Sequence, residues 1–327
     1  MMRTDWAEAA AAVRNAASIL VVSHVKPDGD AIGSLLGLGI ALREVGKKVD
    51  AAVDDGVPDF LGFLPQSETV LPDLTNGQWD LMISVDASDA ERTGKVGHYG
   101  RDHAPKVVNL DHHPTNTEFG DIHLIVPQAV SASEIIYDWL GKMNITPSQP
   151  VATALLTGLI TDTMGFRTSN VVARTLQVAY ELTTCGAPYL DIMTRTMVNK
   201  PLSHILLWQQ ALPSLEVMDG IITSVITPEN LKQSEIRDMT DGGLVSLLVA
   251  AEEISIACVF KVLDANSVEV SFRSKPGFDV GSVAFALGGG GHKPAAGATI
   301  SGSLDDIKAQ VMPLLQQALA QGRTLSA

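Results

Sequence analysis

The chain has 327 residues, more than one hydrophobic core comfortably organises, so length favours two domains with the chemistry in the cleft between them. Hydrophobic residues supply 46% and charged residues 18%, which excludes an extensively disordered chain. Acidic residues outnumber basic ones 37 to 23 for a formal charge of −14, which repels a long duplex and suits a small or short phosphate-bearing ligand, with bound cations cancelling part of the charge.

The alanine-rich start, with Asp5 and Glu8, predicts an amphipathic helix and shows no charged leader followed by an apolar segment. No apolar run reaches the ~20 residues of a bilayer span, so the expectation is a cytoplasmic protein without a membrane partner. Four short apolar runs then read as buried strands: residues 18–23 (SILVVS), 48–53 (KVDAAV), 79–85 (WDLMISV) and 106–110 (KVVNL). Helical patterns, including 31–45 and 132–142, alternate with them. That rhythm predicts an α/β domain built on a parallel sheet with helices on both faces. Residues 151–184 and 188–212 read as further helices, punctuated by Pro201 and Pro213. Strand-like runs at 215–218, 221–226, 254–263 and 267–273, with helices between and after them, predict a smaller α/β domain with a mixed sheet. The expected division is 1–194, a helical linker over 195–213, and 214–327. Cys185 and Cys258 show neither a CxxC nor a zinc spacing, so both read as buried apolar residues.

In parallel sheets ligands collect beyond the carboxyl ends of the strands, and three polar clusters begin there. In the first, His24, Asp28 and Asp30 leave a strand and enter a helix, with Pro27 and Gly29 bending the chain. Carboxylates so spaced can serve two metal ions ~3.5–4 Å apart. The structural alternative is that Asp30 caps the helix starting at Ala31. In the second, Asp86 follows an apolar strand and is placed to bridge two metals, while Ser88 or Asp89 suits a helix cap. The third is Asp111-His112-His113. Adjacent imidazoles on an extended chain point opposite ways, so one can ligate a metal, and Asp111 can orient a histidine. A fourth group, Asp162, is a single carboxylate in an apolar helical stretch, which needs a partner, a capping role or a metal. Carboxylates with imidazoles and no thiolate suit Mn²⁺, with Mg²⁺, Co²⁺ or Fe²⁺ as alternatives.

Further on, Gly288-Gly289-Gly290-Gly291-His292 reads either as a flexible turn or as a run whose backbone N–H groups approach a phosphate, with His292 as a further donor. Arg273 at a strand end can grip a phosphate bidentately or sit solvated at the surface. No Walker A loop and no GxGxxG opening a helix after a strand is present.

The order HxxPDxD, D, DHH, D resembles the DHH phosphoesterase superfamily, and the GGGH run with the residues to Gly297 is similar to the DHHA1 domain, so the resemblance spans nearly the whole chain. By size and domain plan it looks most like the bifunctional oligoribonuclease and 3'-phosphoadenosine 5'-phosphate (pAp) phosphatase group. The resemblance implies two metals, manganese first. It implies His24, Asp28 and Asp86 on one, and Asp30, Asp86, His112 and Asp162 on the other. His113 would then face the substrate phosphate, Asp111 would support from behind, and Arg273, Gly289, Gly290, Gly291 and His292 would hold the nucleotide. One departure is the stretch Asp162-Thr163-Met164-Gly165, whose glycine stands one place later than in many relatives. The implied reaction is hydrolysis of short single-stranded RNA or pAp by a hydroxide shared between the metals. A cyclic di-AMP or pApA phosphodiesterase and a non-catalytic nucleotide sensor are the competing readings. A homodimer is the oligomeric option.

Overall fold

Aliphatic and β-branched runs set the register of a first sheet. β1 (Ser18–Val22) lies between β2 (Lys48–Ala52) and β3 (Leu81–Val85), with Val21 opposite Ala51 on one side and Ile83 on the other. β4 (Val107–Asp111) and β5 (Ile122–Ile125) extend it to the all-parallel order β2-β1-β3-β4-β5. The chain leaves β1 toward β2 and returns on its other side as β3, so the crevice beyond the carboxyl ends of β1 and β3 is where a ligand is expected. These features come from a computed structural model, which describes residues 4–325.

Among the described residues seven α-helices accompany this sheet: α1 (Trp6–Asn15), α2 (Gly29–Glu44), α3 (Gly94–His103), α4 (Ala132–Lys142), α5 (Gln149–Asp162), α6 (Ala173–Thr184) and α7 (Tyr189–Met193). Strand alternation divides the core. Ile19, Val21, Ile83 and Leu110 pack with α2, α4 and α5, whereas Leu20, Val22 and Met82 pack with Val96 and Tyr99 of α3. α2 and α5 lie unusually close, because Gly29, Gly33 and Gly37 present a bare stripe to α5. A Cβ on Gly33 would stand 2.5 Å from the Ala154 carbonyl oxygen and 2.8 Å from the Gly158 nitrogen.

The chain divides into two units between Asn199 and Lys200. The second unit begins with α8 (Leu202–Ala211). Its strands are β6 (Glu216–Met218), β7 (Ile221–Ile226), β8 (Ile256–Asp264), β9 (Ser267–Ser274), β10 (Gly290–His292) and β11 (Ala295–Ser301), in the order β10-β11-β9-β8-β7-β6. Only β7 and β8 pair in parallel. Residues on alternate positions of β8 split between two cores. Cys258 and Phe260 meet α11 (Val280–Ala286) and α12 (Leu304–Leu325), while Ala257 and Val259 meet α8, α9 (Pro228–Gln233) and α10 (Leu244–Val249).

The expected parallel sheet covered on both faces and the expected mixed sheet are both present. Three strands were not foreseen: β5, β10 and β11. Of the glycine run, Gly288 lies in the turn that ends the preceding helix, while Gly290 and Gly291 enter a strand whose hairpin turn is formed by Lys293 and Pro294. Cys258 is buried as expected, but Cys185, at the end of α6, is only half-buried. Among the described residues no helix is long and apolar enough to cross a membrane.

Candidate metal centre

β1 runs into Ser23 and His24, both buried. Nδ1 of His24 donates to the Val25 carbonyl at 2.9 Å. This fixes the tautomer and leaves Nε2 bare, facing Asp86 Oδ2 at 3.6 Å and Asp28 Oδ1 at 3.9 Å. The cap of α2 is Asp28 rather than Asp30: its Oδ1 accepts from the backbone of Asp30 at 3.1 Å and Ala31 at 3.0 Å. Asp30 instead reaches the start of α4, accepting from the Ala132 N–H at 2.6 Å, the Ser133 N–H at 3.1 Å and Ser34 Oγ at 3.2 Å. Helix-end donors that usually face water are thus turned on a fully buried carboxylate.

Asp86, directly after β3, has the left-handed φ of +58°, a costly conformation for a residue with a side chain. Its two oxygens face different imidazoles: Oδ2 faces His24, and Oδ1 lies 3.4 Å from His112 Nε2. Oδ1 is buried without a hydrogen-bond donor. Asp162 is the last residue of α5 and so cannot cap its N-terminus. The helix dipole disfavours its charge there, and its Oδ2 sits 3.4 Å from His112 Nε2. His24, Asp28 and Asp86 form one group, and Asp30, His112 and Asp162 another, in each of which ligand atoms lie within 4.8 Å of one another. A third group joins Asp86 and His112 to Asp111 and His113: His113 Nδ1 donates to Asp111 Oδ1 at 2.8 Å and lies 3.7 Å from Asp86 Oδ1. Asp89, not Ser88, takes the capping role in its loop, accepting from the Arg92 N–H at 2.9 Å.

The charges in this cluster strain against one another. Burial opposes ionisation of Asp86, but His112 and His24 outweigh it and hold the carboxyl far below the usual range. Burial raises Asp30 strongly, helped by the charges of Asp86 and Asp162. Burial also pushes Asp162 up to about 6, against the attraction of His112 and with the repulsion of Asp86 and Asp28. His112 resists its own burial because Asp86, Asp162 and Asp30 surround it, and is pushed up to about 10. A donor set of four carboxylates and two imidazoles, one buried oxygen of which has no donor, fits divalent cations.

In the second unit, Gly289 and Gly291 are bare for steric reasons. A Cβ would stand 2.2 Å from the Gly297 carbonyl oxygen at Gly289, and 2.5 Å from Ala296 Cα at Gly291. A Cβ at Gly290 would meet nothing within 4 Å. His292 is exposed, next to the hairpin turn. Arg273 lies near the end of β9, half-buried, its guanidinium donating to the Phe272 carbonyl at 2.9 Å.

The family model described as "DHH family, N-terminal domain" matches residues 18–159, and the "DHHA1 domain" model matches 220–321. A relative from Thermus thermophilus, the bifunctional oligoribonuclease and PAP phosphatase NrnA, is 33% identical over 308 residues, covering 93% of this chain and 90% of its own length. The chain belongs to the DHH family. Asp111, His112 and His113 are the Asp-His-His of this DHH chain, at the end of β4. An exopolyphosphatase-related protein from Bacteroides fragilis shares the fold with a TM-score of 0.86 at 24% identity, covering 98% of this chain and 96% of that one. RecJ from Thermus thermophilus in complex with Mn²⁺ shares it with a TM-score of 0.52 at 14% identity, covering 95% of this chain and 55% of that one.

The six residues expected as ligands, His24, Asp28, Asp30, Asp86, His112 and Asp162, therefore converge, and Asp111 and His113 adjoin them. Met164, Gly165 and Phe166 all take positive φ, of 51°, 72° and 65°. Sequence reasoning missed Asn116, which donates to Asp111 Oδ2 at 2.6 Å. An asparagine in a short polar loop reads as a turn residue, and nothing in the spacing singles it out.

Proposed function

We propose that the chain is a two-metal phosphoesterase that hydrolyses short oligoribonucleotides and pAp, as the name of its Thermus relative describes for that protein. The observation that carries this reading is Asp86: one buried carboxylate with its oxygens turned to two separate donor groups and one oxygen lacking any hydrogen-bond donor. His24, Asp28 and Asp86 would hold one ion, and Asp30, Asp86, His112 and Asp162 the other, with Mn²⁺ favoured by the oxygen and nitrogen donors. When bound, such ions neutralise phosphate charge and lower the pKa of water so that it attacks at neutral pH.

The residues of the chain do the remainder. Asp111 holds the proton of His113 on Nδ1, so Nε2 is the atom left toward the substrate, and in the imidazolium form its N–H donates to a phosphate oxygen or gives its proton to the leaving oxygen. The Val25 carbonyl does the same for His24, keeping Nε2 available as a donor of its lone pair. Arg273, the backbone of Gly289, Gly290 and Gly291, and His292 are the groups we assign to nucleotide binding, by charge-assisted hydrogen bonds to phosphate. The test is to incubate the Mn²⁺-loaded protein with pAp, a labelled RNA series from dinucleotide to pentanucleotide, and cyclic di-AMP. Faster release of mononucleotide from pAp or short RNA supports the reading, and a preference for cyclic di-AMP overturns its substrate assignment.

A further inference from the structure

Asp111 is fully buried, and both its oxygens are engaged: Oδ1 by His113 Nδ1 at 2.8 Å and Oδ2 by Asn116 Nδ2 at 2.6 Å. The Asn116 amide is itself locked. Nδ2 also donates to the carbonyl of Ala87 at 3.1 Å, and Oδ1 accepts from the Glu118 N–H at 2.7 Å. Ala87 follows Asp86 directly, so one side chain ties the loop after β3 to the carboxylate that ends β4. Asn109 Nδ2 reaches the same Ala87 carbonyl at 3.2 Å, which braces that point from the strand below. A buried carboxylate with one oxygen unmet is free to swing toward another donor, and the imidazole hydrogen-bonded to it would swing too.

We propose that Asn116 is a positioning residue for hydrolysis, acting through Asp111 to hold the His113 ring with Nδ1 as donor and Nε2 presented to the phosphate. This rests on the phosphoesterase reading above. The residue type follows from the contacts. Leucine has similar size but no donor, and aspartate would set a second carboxylate against Asp111 at hydrogen-bonding distance. Asn116 touches none of the six residues assigned above as metal ligands; its carboxylate contact is Asp111, which stands with Asp86, His112 and His113 in a further group of possible ligand atoms, so metal content is measured on every variant.

The experiment is a double-mutant cycle on the Mn²⁺-loaded full chain with a short oligoribonucleotide, combining Asn116→Leu with His113→Ala. Asn116→Leu lowers kcat by about 10–100-fold, with KM within about twofold and metal content unchanged. In the His113→Ala background the same change has no further effect, because the group it positions is gone. An equal loss in both backgrounds, or a loss of bound metal, marks Asn116 as a general structural residue and overturns the inference, as does a kcat within twofold of the native chain. Asn116→Asp lowers kcat further than Asn116→Leu, and Asn116→Ser serves the same cycle if the leucine variant does not fold. Nitrogen-15 spectra of the Mg²⁺-loaded chain read the His113 tautomer without turnover, with Nδ1–H expected in the native chain and lost in Asn116→Leu. A native chain inactive on every nucleotide but showing that change defeats the phosphoesterase reading and leaves the positioning intact. A tautomer unchanged by Asn116→Leu defeats the positioning itself.

Discussion

Gly33→Ala tests how the metal centre is assembled. The added Cβ would lie 2.5 Å from the Ala154 carbonyl oxygen and 2.8 Å from the Gly158 nitrogen, both backbone atoms of α5 that no rotamer change can move. To reach ordinary contact, α5 has to retreat from α2 by roughly 0.5–1 Å. Overpacking of this kind costs about 1–3 kcal/mol, and alanine's better helix propensity returns up to about 1 kcal/mol, for a net loss near 1–2 kcal/mol and a melting temperature lower by a few degrees. The larger effect is functional. Asp30 rides at the start of α2 and Asp162 at the end of α5, so the retreat parts two members of one ligand group, and a displacement near 1 Å costs about 100-fold in rate. Gly141→Ala is the control: it lies in α4, its Cβ meets nothing within 4 Å, and it should stabilise by a few tenths to about 1 kcal/mol without touching activity. Calorimetric melting, metal titration and kcat are measured on both variants. If Gly33→Ala melts higher, as Gly141→Ala does, and binds metal normally, close α2–α5 packing does not build the site.

Metal binding should release protons. In the metal-free chain His112 holds its proton up to about pH 10 and Asp162 up to about pH 6, and each must lose it to act as a ligand. Affinity therefore rises with pH between 6 and 8, by about tenfold per unit for the His112 proton alone, and titration in buffers of different ionisation enthalpy detects at least one proton leaving per His112-bound ion, with Asp30, raised by burial, a further source. An affinity flat across this range contradicts those shifts. Asp86→Ala should depress kcat severely with reduced metal content, whereas His292→Ala keeps its metals and loses about 1.5–3 kcal/mol in kcat/KM. The division of roles is wrong if His292→Ala binds no metal or Asp86→Ala retains near-normal kcat. At the hairpin, Gly289→Ala should destabilise the second unit through its clash with the Gly297 carbonyl, while Gly290→Ala should fold normally. A raised KM in Gly290→Ala alone identifies that backbone as a substrate contact, and unchanged kinetics remove it from the site.

Much of the fold was readable because β1, β3 and β4 are short, mostly apolar runs that are almost wholly buried, while the edge strand β2, buried only at Ala51 and Ala52, still shows as a short β-compatible run between helical patterns. β5 escaped because it has only four residues, one of them His123, directly after Gly120 and Asp121. β10 and β11 escaped because glycine and alanine dominate them and carry little strand preference. Most ligand candidates were legible because they stand where strands end. The roles within the first cluster were not, since a spacing of two residues cannot tell which carboxylate caps α2 and which crosses to α4. Asp162 showed only as an isolated acid, because the glycine-lined approach of α5 to α2 that delivers it is a tertiary contact. Asn116 was invisible for the same reason: its importance lies in a buried partner, Asp111, five residues away.

The most direct test of the account is a titration of metal-stripped protein with Mn²⁺ while hydrolysis of pAp and of an RNA trinucleotide is followed. Activity absent in excess EDTA, appearing as two ions per chain bind, and poorly restored by Ca²⁺ is the result expected for a paired site of six oxygen and nitrogen ligands. Full activity in excess EDTA, or saturation of activity at one ion per chain, contradicts it.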